Sequence, residues 1–188
     1  MGKQEGKLSL EEIPDPEMRA LAQYLQSKAP PGRLPGRQHL DPTEISKFLA
    51  GIVLYDVERK DGIIRLRVRV WGTRVTDLMG RDCTGCYVDE MQPSALMQPV
   101  AAALRSVVET ARLHYWERPV QFSGRGFLSY RRLALPMARD GETVDMVLGY
   151  FKAVSEVPAR PLAAAPEGPT MPRGAPLRGI DGTAEGNI

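Results

Sequence analysis

Apolar residues recur at intervals of three and four over residues 11–28, with Met18, Leu21, Ala22 and Leu25 on one face, and this spacing predicts a helix. Asp15 is placed to cap it, and Pro16 suits its first position because a proline there forfeits no helical hydrogen bond. The stripe must dock either on the chain's own sheet or on the same helix of a second copy, and the pattern leaves both open. Residues 29–37 carry three prolines and two glycines and read as a linker or loop. Asp41, Pro42, Thr43 and Glu44 then supply a capping carboxylate, a preset φ and a third-position glutamate, predicting a second helix with Ile45, Phe48 and Leu49 as its buried face and Gly51 at its end.

The period changes to two at Ile52. Residues 52–57 are apolar and β-branched, residues 59–62 have turn chemistry, and Leu66, Val68 and Val70 alternate with Arg65, Arg67 and Arg69. This is a hairpin with one face toward a core and the other toward water or a partner. Val75, Leu78 and Met79 predict a helix of under two turns ending at Gly80. Residues 94–113 predict a long helix crossing the sheet, with Pro99 near its first turns. Three more strands are expected at 120–123, 128–137 and 144–154, the last two joined by Arg139, Asp140, Gly141 and Glu142. The predicted class is α+β, a five-stranded antiparallel sheet with flanking helices. Its divisions are an N-terminal helix and linker at 1–37, one domain at 38–157, and a disordered tail at 158–188. That tail is rich in Pro, Ala and Gly and has few large apolar residues to offset the cost of ordering.

Composition narrows the picture. Against 25 basic residues stand 23 acidic ones, and a net +2 in 188 residues names neither nucleic acid nor an anionic membrane as the main partner. No apolar run approaches the roughly 18 to 20 residues of a membrane span, and residues 1–10 lack a signal-peptide core, so a cytoplasmic protein is expected. Two cysteines three apart cannot staple distant parts of a fold.

The order of these elements is accompanied by local wording: Leu34-Pro35-Gly36-Arg37, Asp41-Pro42, Asp56 closing the first strand, arginines at 65, 67 and 69, Gly72-Thr73, then Gly80-Arg81-Asp82-Cys83-Thr84-Gly85. The paired endings at 130–136 and 145–151 complete it. Together, over roughly 18–154, they resemble a divergent PAS-domain subfamily of small bacterial sensory and signalling proteins. The resemblance implies a PAS-like fold and a sensory or protein-interaction role. It also implies a ligand pocket between the inner sheet face and the helices, lined by Val70, Leu78, Met91, Leu104, Val108, Phe122, Leu133, Met146 and Leu148, with Trp71 and Trp116 as lids. Such apolar lining is common to small-molecule pockets and to ordinary cores. Cys83 departs from the pattern, which usually has an apolar residue there.

Other chemistry is thinner. Cys83 and Cys86 have the spacing of a redox pair or of half a zinc site, but no second pair exists and His39 and His114 are the only imidazoles, so free thiols are expected and no zinc. Cys83 also suggests a flavin photosensor, yet the only asparagine is Asn187, so no flavin is expected. Some PAS domains place a haem ligand where His114 falls, near the end of the long helix; a histidine there also serves the helix dipole or solvent. Arg65, Arg67 and Arg69, with Arg131 and Arg132, would form a basic ladder, read as a solvated face. No nucleophile, base and orienter come together, so no enzyme is expected. The cofactor is left unknown. Expected partners are a small apolar ligand, a signalling protein and a second copy in a homodimer, without nucleic acid or a membrane span. The competing expectation is a ligand-free interaction or dimerisation module.

Overall fold

The computed structural model describes residues 5–6, 9–91, 94–122 and 126–157. The tail predicted at 158–188 lies outside them. Six strands form one antiparallel sheet: β1 (Glu5–Gly6), β2 (Ile52–Lys60), β3 (Ile63–Trp71), β4 (His114–Phe122), β5 (Gly126–Met137) and β6 (Met146–Val157). Their spatial order is β1-β4-β5-β6-β2-β3. Five are full strands, as expected, and β1 adds two residues against Trp116 and Tyr115 of β4. The helices are α1 (Pro16–Ser27), α2 (Thr73–Met79) and α3 (Ser94–Thr110).

The sheet is covered on both sides, not one. Its inner face carries α2 and α3 over a core that includes Val53, Tyr55, Val68, Leu104, Trp116, Ala134 and Val147. Its outer face carries α1, whose Met18, Leu21, Ala22 and Leu25 are buried with Leu133, Leu135, Met146, Leu148 and Tyr150. The stripe of α1 therefore docks on its own sheet. Asp15 caps α1, accepting from the amides of Glu17 at 3.0 Å and Met18 at 3.2 Å, and Pro16 occupies its first position.

The second predicted helix is instead a run of turns leading into a 3-10 helix, Ser46–Gly51. Asp41 accepts from the Thr43 amide at 2.8 Å and from its hydroxyl at 2.7 Å, closing a local turn rather than capping an α-helix. Ile45 and Phe48 are buried there, whereas Leu49 is exposed. The β2–β3 hairpin turns at Asp61 and Gly62, both left-handed (φ 51° and 76°), the geometry that suits the right-handed twist of the strands.

Two further boundaries differ from expectation. α3 stops at Thr110 with Ala111 left-handed (φ 51°). His114 is therefore the first residue of β4 rather than a helix terminus, and β4 starts six residues before the predicted 120. Pro119 lies within β4, which is an edge beyond the two residues that β1 covers, the place in a sheet where proline is tolerated. Val144 precedes β6, which begins at Met146.

The opposite edge of the sheet is clasped by the loop after α2. The Gly85 amide donates to Val68 O at 2.8 Å, the Val68 amide donates to Cys86 O at 2.9 Å, and Arg67 bridges to Tyr87.

Candidate functional site

The inner face builds a small cavity from the sheet upward. Strand alternation brings Tyr55 of β2, Tyr130 of β5 and Phe151 of β6 to its floor, and Tyr130 and Phe151 stack at 6.1 Å between ring centroids. Room for these rings comes from Gly149, where a Cβ would lie 3.0 Å from Tyr55 Cε2 and 3.4 Å from Phe151 Cε2. Trp71, together with Leu78 and Met79 of α2, forms one wall; Val88 and Met91, with Met97 and Val100 of α3, form the other. The left-handed Gly80 (φ 75°) ends α2 directly after Met79 and lets the chain turn away. The space enclosed is about 20 Å³, enough for about one water.

Polar groups around this apolar space are buried, and among the described residues the Trp71 indole Nε1 has no hydrogen-bond partner. Arg132 is fully buried on the inner face, between Trp116 and Phe151 in the strand pairing, with its guanidinium 4.4 Å from the Trp116 ring. Burial pushes the Tyr55 phenol far up, so its hydroxyl stays protonated as Arg132, Tyr130 and Cys83 crowd it.

Of the residues expected to face a pocket, Trp71, Leu78 and Met91 line this cavity. Leu104, Val108 and Trp116 lie in the same inner core without lining it, and Trp116 is buried under Arg132 rather than lying over an opening. The Phe122 side chain lies outside the described ones. Leu133, Met146 and Leu148 face the outer core under α1. Val70 is 42% exposed. Its turn outward has a local cause: the register slips from Leu54–Val70 to Tyr55–Val68, leaving Arg69 as an extra residue that reverses the alternation.

Sequence reasoning missed Tyr55, Met79, Val88, Met97, Val100, Tyr130 and Phe151. For β5 and β6 the signal was parity. Choosing Leu133, Met146 and Leu148 selected the wrong alternate set, whereas Ala134 and Gly149, too small to fill a core, marked the face where rings need space.

The basic ladder is not a free row. Arg65 pairs with Asp89 at 2.9 Å and Glu90 at 2.5 Å and lies 3.8 Å from the Tyr87 ring. Arg67 donates to Gly85 O, and Arg69 pairs with Asp56 at 2.9 Å. Arg131 binds Asp15 and Glu117 on the outer face, so it lies on the opposite side of the sheet from Arg132.

Cys83 is buried and Cys86 exposed on one turn, the Cys86 amide donating to Cys83 O at 3.0 Å. Burial pushes the Cys83 thiol up, which lowers its reactivity. Among the described residues no three of His, Cys, Asp and Glu gather as metal ligands, and no helix is long and apolar enough to cross a membrane. A wider groove of about 200 Å³ opens on the outer side between α1, Leu34, Pro35, Leu113 and Leu135. Arg33 at its rim is held by Glu142 at 2.7 Å.

Comparison with known proteins follows the same outline. A family model described as PAS domain matches residues 14–152. Among solved structures, the PAS domain of Bordetella pertussis BvgS is similar at TM-score 0.45 and 18% identity, covering 63% of this chain and 90% of that one. The Vibrio cholerae VqmA dimer in the absence of target DNA is similar at TM-score 0.44 and 16% identity, over 62% of this chain and 52% of that one. VqmA bound to DPO gives TM-score 0.43 and 14% identity, over 61% and 58%. The chain thus spans about half the length of the VqmA structures. Comparison with curated proteins finds no match. The family match takes in α1, both layers over the sheet and all but the last residues of β6, and the chain belongs to the PAS domain family.

Proposed function

We propose that the protein is a sensory module that takes up a small, largely apolar molecule in the inner cavity and passes the change to a signalling protein through α1 or the outer sheet face. PAS domains are in general sensory, non-catalytic modules, and we assign this one no reaction. The observation that carries the reading is the chemistry of the cavity, with aromatic rings below and Leu78 and the thioethers of Met79, Met91 and Met97 around it. Methionine adapts its shape to an occupant more readily than other core residues, and small-molecule sites are mostly apolar. At about 20 Å³ the cavity has room for about one water. A ligand would act by population shift, favouring the minority of molecules in which those side chains have swung aside.

The small volume also favours a second reading, a ligand-free interaction or dimerisation module with a filled core. In either case we propose a cytoplasmic homodimer with a protein partner rather than nucleic acid, because the β3 arginines are already engaged with carboxylates and backbone oxygens of their own chain. Native mass spectrometry of freshly purified full-length chain separates the readings. A small-molecule adduct that is lost from a variant with Phe151→Trp, which fills the floor, supports the sensor. Bare chains in a stable dimer support the interaction module.

A further inference from the structure

The cavity and α1 lie on opposite sides of the sheet, yet one polar chain joins the wall of the first to the opening turn of the second. α2 gives Leu78 and Met79 to the cavity and, one turn earlier, Arg74, whose Nη1 donates to the Tyr150 hydroxyl at 3.2 Å. That hydroxyl donates in turn to Glu17 Oε1 at 2.5 Å. Glu17 stands in the first turn of α1, 2.7 Å from Lys152 Nζ. Burial, aided by the Glu17 carboxylate, pushes the Tyr150 phenol up to about 12, so it keeps the proton it donates while accepting from Arg74.

Tyr150 is a fixed relay point. Its ring is fully buried, meets Phe48 edge-on at 5.7 Å, and lies so close to Gly51 that a Cβ there would come within 2.7 Å of it. The next residue, Phe151, points the other way and floors the cavity. α2, by contrast, is the thin wall. It has seven residues, no side-chain cap at its start, and one buried residue, Val75. An occupant larger than a water must move a wall, and the strands of the floor are laddered together, β2 to β6 from Ile52 to Asp56 and β5 to β6 from Tyr130 to Met137 beyond a register shift at Ser129.

We propose that the Arg74–Tyr150–Glu17 chain couples occupancy of the inner cavity to the seating of α1, so that filling the cavity shifts α2, withdraws Arg74 from Tyr150 and loosens the first turn of the N-terminal helix. This rests on the reading of the cavity as a binding site and adds to it the route of transmission.

Hydrogen exchange of the full chain, read at residues 16–27, tests it without a known ligand. Met79→Trp serves as a built-in occupant, with Leu78→Phe as a milder one, and thermal melts select variants that fold. Arg74→Ala is expected to raise exchange in α1 about fivefold, the effect of losing one hydrogen bond, while the β2–β3 hairpin stays unchanged and Arg74→Lys restores protection. The occupant variants are expected to raise α1 exchange similarly in the wild-type background and to add nothing to Arg74→Ala. Unchanged α1 exchange in Arg74→Ala, or an occupant effect of the same size in both backgrounds, overturns the coupling. A cavity that retains no small molecule in native mass spectrometry bears on the binding reading alone, because neither exchange comparison uses a ligand.

Discussion

Single residues set the two sides of this sheet. Asp15 is 1% exposed, caps α1, and meets Arg131 at 2.9 Å and Lys152 at 3.1 Å, so one carboxylate joins a helix to two strands. Asp15→Ala removes the cap and takes one of two carboxylate partners from both Arg131 and Lys152, which keep Glu117 and Glu17, and a loss of about 1–3 kcal/mol is expected in urea unfolding. Val68 and Val70 provide a second test two positions apart. In an unbroken strand they would share a face, but the bulge puts Val68 at 1% exposure and Val70 at 42%. Val68→Thr buries a hydroxyl in the inner core and is expected to cost about 1–3 kcal/mol; Val70→Thr should stay within about 0.5 kcal/mol. Equal costs in chemical denaturation would contradict the register of the hairpin.

At the scale of elements, the seating of α1 depends on pH. Burial drives the Asp15 and Glu17 carboxyls up, but Arg131, the Met18 amide and Lys152 around Asp15, and Lys152 and Tyr150 around Glu17, outweigh it and hold both below their ordinary values. A carboxylate whose folded-state value is lowered stabilises fully above its unfolded value, and that contribution disappears as pH falls through the lowered one. Amide NMR shifts of residues 15 and 17–19 are therefore expected to be flat from neutrality to about pH 5 and to move below about pH 4. A midpoint near neutrality would exclude these two groups as the anchor. The elements themselves were largely legible. Asp15-Pro16 with the stripe through Leu25 gave α1, and Gly80 gave the end of α2, because caps and periodicity are local physics. The face of β5 and β6 was not: Leu133-Ala134-Leu135 and Met146-Val147-Leu148 are apolar at every position, so alternation carries no direction when both faces are buried. Nor was the bulge at Arg69, which depends on the partner strand, or the long-range contact that turns Arg131 toward Asp15.

For the molecule as a whole, α1 is a layer of the fold and not an appendage. The family match includes it, and its Met18, Leu21, Ala22 and Leu25 share one buried cluster with Leu133, Leu135 and Leu148 of the sheet. A chain starting at Ala29 is expected to aggregate or to pair through the bared face, which size-exclusion chromatography with light scattering reads directly. Recovery of a monomer as stable as the full chain would show that the outer core does not need the helix.

The clasp of Gly85, Cys86 and Tyr87 on β3 has a consequence for how other chains could join this one. Backbone groups at the middle of β3 are spent on their own loop, so an incoming peptide finds no vacant rungs there. On the far side, the described residues shield β4 only at Tyr115 and Trp116, so an added strand would find more unclaimed backbone along that margin than at the middle of β3.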